Sequence, residues 1–427
     1  MDEYFLQYLW KHRLVEPRSL KTTDGHTIEV ISTGEQNTDS GPDFINARLK
    51  IDNILWCGNV EVHFNSSDWN KHGHFKDKAY DNVILQIVVN ADAKVKSTSG
   101  QEVTTAKLEP ALRFYENYQS LLNSGTPESP ACANQLGLVD PFTRLSWLNA
   151  LLLERLERKA LQIEEHLAQN KNNWEETFYH KLSRSFGSQI NAAPFEMLAK
   201  SLPITVIAKH KSNLKQIEAL FFGQAGLLDE EQGDEYYLAL RKEYLYLQHK
   251  FALVPIEKHL WKFLRLRPCN FPTVRIAQFA KLVHQSSALF SKIIASNDID
   301  ILGMWFDTTA STYWDTHYTF GKESKTTAKQ LGDQAIESIL INTAIPFMFV
   351  YGKAKQNDDL VNKALEFLEK LPAENNHITE KWKIAGIDST NSAESQALIQ
   401  LDSEYCRRSR CLNCRIGSKI IRRISLE

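Results

Sequence analysis

The sequence predicts an α+β domain over residues 1–122 followed by a mostly α-helical domain over residues 131–427. Three observations carry this expectation. Apolar spacing switches between helical and strand-like periods through the first part of the chain. Beyond it, long stretches keep their apolar residues on one helical side. The seam between them, Asn123-Ser124-Gly125-Thr126-Pro127-Glu128-Ser129-Pro130, gathers turn formers without periodicity.

The elements follow in order. Glu3 to Leu14 carries Tyr4, Phe5, Tyr8, Leu9 and Trp10 at spacings that favour a short helix. Thr27 to Ile31 alternates and stops at Ser32-Thr33-Gly34, a strand signal. Ser40-Gly41-Pro42 turns the chain into a strand over Asp43 to Ile51, and Asp52-Asn53 turns it back into a strand over Ile54 to Phe64. Asn65 to Tyr80 is a polar connection rich in histidine, aspartate and lysine. Val83 to Val89 is apolar except for Gln86, the mark of a strand covered on both faces. Gln86 needs a hydrogen-bond partner there, which points to a structural role. Past the seam, Asp140-Pro141 starts a helix with Leu145, Leu148, Leu152, Leu156, Leu161 and Ile163 on one side. Helical patterns recur at Tyr236 to Phe251, Val274 to Ile294 and Ala335 to Ile341, with no fixed repeat period. The tyrosines at 236, 237, 244 and 246 read as core or interface.

Composition narrows the function classes. Apolar residues make up 43% and charged residues 24%, which excludes a mostly disordered chain. Lysine and arginine total 50 against 52 acidic residues, so the chain is not coated in positive charge, and a local basic patch stays open. No window collects the roughly 18 apolar residues of a membrane helix. The nearest run, Ile339 to Tyr351, is interrupted by Asn342, Thr343 and Pro346. The Met1-Asp2-Glu3 start is acidic where a secretory signal is basic, and six cysteines are too sparse for a disulfide framework. A cytoplasmic protein with reduced thiols and no membrane partner is expected.

The chemistry-bearing residues of the first domain are Asp43, Glu61 and His63. Side chains two apart on a strand share a face, so Glu61 and His63 point the same way. Carboxylates from neighbouring strands can hold a hard cation such as magnesium, and an imidazole beside them can position or deprotonate water. Register opposes this convergence. A two-residue turn at Asp52-Asn53 pairs Ile51 with Ile54 and puts Asp43 on the side of Val62, not Glu61. A bulge near Asp43 restores it. Without one, Asp43 caps a turn while Glu61 and His63 line a solvated face. Lys71, His72, His74 and Lys76 follow in a loop that offers contacts to phosphate, and His63, His72 and His74 form an alternative transition-metal set.

Near the C-terminus, Cys406, Cys411 and Cys414 form a compact box that needs a fourth ligand for zinc or a [4Fe-4S] cluster. Cys132, just past the seam, is the first choice for that ligand and Cys269 the second, with zinc ahead of iron–sulfur. Arg407, Arg408 and Arg410 lead a basic run, with Arg415, Lys419, Arg422 and Arg423, that suits a phosphate backbone or forms a solvated face. Only Glu427 opposes it after Glu404.

Pro42-Asp43, Glu61-x-His63 and the helix–strand–strand–strand–connection–strand order together resemble the PD-(D/E)XK nuclease superfamily. The resemblance implies a restriction-endonuclease-like αβββαβ fold, magnesium at Asp43 and Glu61, and a contribution from the first helix, where Glu3 is placed. Histidine 63 stands where that family carries lysine. Over a longer span, Tyr8-Leu9-Trp10-Lys11-His12, Gly41-Pro42-Asp43-Phe44-Ile45-Asn46-Ala47, Val60-Glu61-Val62-His63, Ser67-Asp68-Trp69, His72-Gly73-His74, Asn270-Phe271-Pro272-Thr273 and Cys411-Leu412-Asn413-Cys414 resemble domain-of-unknown-function family 2851. That family is bacterial and carries no assigned activity. The expected function is a metal-dependent nuclease or a degenerate nuclease-like nucleic-acid binder. The alternatives are a non-catalytic interaction protein with a helical platform and, third, a transition-metal hydrolase using His63, His72 and His74.

Overall fold

A computed structural model describes residues 1–14, 20–126 and 128–423. Pro127 of the seam and Glu427 lie outside the described residues. The chain forms two compact units. The first takes residues 1–147, 380–387 and 401–427, and the second residues 148–379 and 388–400. The compact division therefore falls beyond the turn-rich seam, and the cysteine segment at 406–414 packs within the first unit.

In the first unit, helix α1 (Glu3–Lys11) is capped by the Asp2 carboxylate, which accepts from the Phe5 amide at 2.9 Å. It buries Phe5, Leu6, Tyr8, Leu9 and Trp10. Strands β1 (Ile28–Ser32), β2 (Glu35–Gln36), β3 (Phe44–Ile51) and β4 (Ile54–Asn65) follow, then helix α2 (Asp68–Lys71), β5 (Val83–Asn90), β6 (Thr105–Lys107) and helix α3 (Leu112–Asn123). The sheet runs β1-β3-β4-β5-β6, with β2 on β3. The β1–β3 and β3–β4 pairs are antiparallel, and β4–β5 and β5–β6 are parallel. Asp52 and Asn53 adopt φ of 46° and 68°, the left-handed pair of a two-residue hairpin turn. They pair Ile51 with Ile54 as the spacing requires. The β4–β5 connection must cross over because the strands are parallel; the polar stretch after β4 does this with α2 and short helical turns. β5 buries Leu85, Gln86, Ile87 and Val88 to 0% exposure, as expected of a central strand. β2 and β6 are too short to leave a periodic signal.

The second unit is helical, with a single two-stranded ribbon at His317–Thr319 and Lys322–Glu323 among the described residues. The helix beginning at Pro141 runs to Gln169. Leu152, Leu156 and Ile163 on it are buried, whereas Leu145 and Leu161 are 56% and 60% exposed. The helix expected over Val274–Ile294 breaks into Pro272–Gln285 and Leu289–Ala295. Of the four tyrosines, Tyr237 and Tyr244 are buried and Tyr246 is exposed. The helical pattern at Ala335–Ile341 is part of a longer run, Asp333–Ala354, that passes a π turn at Leu340–Ala344 just before Pro346. By length and composition this 22-residue run could cross a membrane, contrary to the sequence expectation. Two-thirds of its apolar window is buried within the fold, as in a core helix.

Candidate functional site

The site is set by one extra residue in β3. Ala47 to Ile51 follow the hairpin register, with Ala47 opposite Gly58, but Phe44 lies opposite Val60. The shift falls at Ile45-Asn46, where Asn46 takes φ 59°, a conformation asparagine tolerates better than most residues. The Asn59 side-chain oxygen accepts from the Asn46 amide at 3.4 Å. Gly34 packs so closely on the bulge that a Cβ would stand 2.5 Å from the Ile45 carbonyl oxygen. The slip brings Asp43 to Glu61. The Asp43 amide donates to Glu61 Oε2 at 3.0 Å, and the Val62 amide donates to Asp43 Oδ2 at 2.9 Å. Convergence thus comes from a bulge at Asn46, three residues past Asp43.

Glu61 and His63 are not on a solvated face: they are 5% and 1% exposed. Gln7 of α1 donates its amide to Asp43 Oδ1 at 2.8 Å. Glu3 on the same helix lies near the Phe64 amide and within electrostatic reach of His72, Asp68 and Glu61, while burial lifts its carboxyl above the usual range. Burial and then the Glu61 charge push Asp43 up as well, from 3.8 to about 7.

Three imidazoles complete the cluster. One nitrogen from each of His63, His72 and His74 lies within 4.8 Å of the others. Glu61 Oε1 stands 3.4 Å from His63 Nε2 and 3.3 Å from His74 Nε2. The His74 ring stacks on Tyr80 at 3.8 Å and meets the edge of Trp69. That packing buries His74 to 8% exposure, and its Nε2 makes no hydrogen bond. Burial, then His74 and His72, hold the His63 pKa down at about 3, so it is neutral. Gln86 meets its hydrogen-bond requirement inside the site. Its amide nitrogen lies 2.9 Å from His63 Nδ1 and 3.2 Å from the Ser66 carbonyl oxygen. A carbonyl only accepts, which assigns the nitrogen to that side. Neutral His63 therefore accepts at Nδ1 and carries its proton on Nε2, facing His72 Nδ1 at 3.2 Å and Glu61.

The other residues singled out by sequence fall at varied distances from this chemistry. Lys71 is held by Asp68 at 2.6 Å. Arg407 binds Asp402 at 2.7 Å and Arg408 binds Glu404 at 3.1 Å. Arg410 is exposed and lies close enough to Tyr4 of α1 to act on its phenol. Gln7 was not legible as a site residue, because nothing distinguishes a polar position on an amphipathic helix until the sheet is placed.

Fold and site together define a protein with a mixed-sheet unit carrying a partly buried acid–imidazole cluster, joined to a helical unit. The chain belongs to the family described as Protein of unknown function (DUF2851), which matches residues 3–377 and stops short of the cysteine box. No curated protein and no solved structure matches the chain.

Proposed function

We propose that the chain is a metal-dependent phosphodiesterase of the nuclease type, or a nuclease-like nucleic-acid binder that keeps the same pocket. The observation that carries this reading is the bulge at Asn46, which turns Asp43 onto Glu61 and sets a half-buried acid against a buried one. The order of elements supports it too. A helix, an antiparallel trio, a crossover and a parallel strand are what the resemblance to PD-(D/E)XK nucleases leads one to expect.

The residues fit a divalent cation. Each carboxylate oxygen that accepts one hydrogen bond keeps a second lone-pair site, and a positive ion relieves the repulsion that lifts Asp43. When bound, such an ion lowers the pKa of a ligating water and neutralises charge developing on phosphate. Asp43 and Glu61 hold it; magnesium suits the oxygen donors. Gln7 and the Val62 amide fix the Asp43 carboxylate. His63 takes the place of the usual lysine as a neutral donor: its Nε2 proton positions a water against Glu61. Arg410, with Arg407 and Arg408, supplies positive charge for a nucleic-acid backbone.

The test is cleavage of labelled DNA and RNA across a magnesium and manganese titration. Cleavage that needs the metal and disappears in Asp43→Ala with the fold intact is expected; cleavage unchanged by that substitution rejects the site. A second reading, a transition-metal hydrolase, is favoured by the convergence of His63, His72 and His74 with Glu61 between two of them. It requires the His63 proton to leave Nε2, against the hydrogen bond from Gln86. Activity with zinc and none with magnesium identifies this second reading.

A further inference from the structure

The three thiols of the C-terminal box are far in sequence from Cys132 yet close to it in the fold. Cys132 and Cys414 are 9% and 7% exposed, Cys406 and Cys411 are half-buried, and all four are unpaired thiols of the first unit. Cys132 lies within electrostatic reach of Cys411 and Cys414, and Cys406 within reach of the other three. The box is tightly folded. Ser409 takes φ 52°, the Cys414 amide donates to the Cys411 carbonyl at 3.3 Å, and a Cβ on Gly417 would stand 2.3 Å from that carbonyl oxygen.

Trp147 makes a second and independent observation. It is 7% exposed and its indole N–H finds no hydrogen-bond partner, although such groups are rarely left so. The indole and the amides of Ile416 and Gly417 lie close enough to the Cys414 thiol to favour its thiolate form. A neutral thiol is a weak acceptor, whereas a metal-bound thiolate is a strong one. N–H groups gathered around one sulfur are a setting for a thiolate ligand. Lys381 adds positive charge beside Cys132.

We propose that Cys132, Cys406, Cys411 and Cys414 together ligate one iron–sulfur cluster of the [4Fe-4S] type. Spacing favours the cluster over the zinc expected from sequence. Four thiolates around one zinc at about 2.3 Å stand roughly 3.8 Å apart. Among the described residues, the only group of three or more ligand atoms lying within 4.8 Å of one another is that of the three histidines, so no three of the four sulfurs are gathered that tightly. In a cubane each thiolate binds its own iron, which sets the sulfurs further apart. Loading exchanges four S–H bonds for four Fe–S bonds and releases four protons to water; ferrous and ferric iron and sulfide come from outside the chain. The cluster is a clasp. The helix Arg415–Ile421 starts at Cys414, and its Ser418 meets the Tyr8 hydroxyl of α1 at 3.0 Å. Asn117 of α3 donates to the Ile421 carbonyl at 3.1 Å. The inference stands whether or not the acidic site cleaves anything.

The experiment is anaerobic purification of the full chain with iron, sulfide and zinc analysis, native mass spectrometry and visible absorbance. Equal iron and acid-labile sulfide, a mass increment of one cluster and a broad absorbance bleached by dithionite are expected. Cys57→Ser and Cys269→Ser keep the iron, and each of Cys132→Ser, Cys406→Ser, Cys411→Ser and Cys414→Ser loses it. Should the serine variants fail to fold, alkylation of the wild type decides: Cys57 and Cys269 react and the other four are protected until a chelator and an oxidant are added. Stoichiometric zinc without sulfide, full iron retention in Cys132→Ser, or equal alkylation of all six overturns the proposal.

Discussion

Replacing Asp43 by asparagine tests whether two acids share the pocket, because it separates charge from shape. Asparagine is isosteric and keeps one oxygen for the Gln7 amide or the Val62 N–H, so the change costs about 1 kcal/mol in hydrogen bonding at any pH. The pH-dependent part is larger. Asp43 is raised from 3.8 to about 7 in the fold, chiefly by burial and then by Glu61. A folded pKa above the unfolded one means that the folded chain holds the proton more tightly. The stabilisation is therefore complete in acid, below the unfolded pKa, and is lost as pH rises through the folded one. At about 1.4 kcal/mol per pKa unit the whole effect is on the order of 4 kcal/mol, of which about 2–3 kcal/mol falls between pH 5 and pH 8. Over that interval the stability of Asp43→Asn should rise relative to wild type by roughly that amount. Manganese at pH 8 should restore the wild type and leave the variant unchanged. Urea denaturation read by hydrogen exchange on peptides from β4 reports the relevant unit. Parallel pH curves for the two proteins would refute the idea that Asp43 is strained by Glu61.

Three further outcomes follow from the same geometry. Deleting Asn46 removes the bulge, restores a continuous register and turns Asp43 away from Glu61; cation binding should vanish while circular dichroism keeps the sheet signal, and Asn46→Gly should bind as wild type. His63 is depressed from 6.5 to about 3, so its contribution is present above pH 6.5 and lost as pH falls towards 3. His63→Gln should flatten that acid limb by several kcal/mol in pH-dependent denaturation, and an unchanged limb would contradict the burial argument. Asp402 is 1% exposed and holds Lys381 at 3.0 Å and Arg407 at 2.7 Å. Asp402→Ala should lower stability by about 3–5 kcal/mol in thermal unfolding, and Arg407→Ala, at an exposed partner, by much less.

Local signals were legible where they concern a few neighbouring residues. Asp52-Asn53 specified its turn, the Val83–Val89 run its central strand, and Glu61-x-His63 a shared face. The need for an irregularity near Asp43 was also legible, because hairpin register fixes sides. Its position was not: Asn46 tolerates a left-handed backbone, but so do many asparagines that adopt an ordinary one. Gln7, Gln86 and the meeting of His72 and His74 with Glu61 depend on how a helix and a crossover settle against the sheet. Leu145 and Leu161 kept the helical period yet face outward, because the period marks a stripe without saying how wide its cover is. Cys132 was legible as the first choice beside the C-terminal box, nearly three hundred positions away, but which of its thiols it neighbours needed the whole first unit.

The most direct measurement is manganese binding to the metal-free chain, followed by electron paramagnetic resonance, in wild type, Asp43→Asn and Glu61→Gln. A bound ion is expected in the wild type, and both substitutions should abolish it with the chain still folded. Equal manganese occupancy in all three would contradict it.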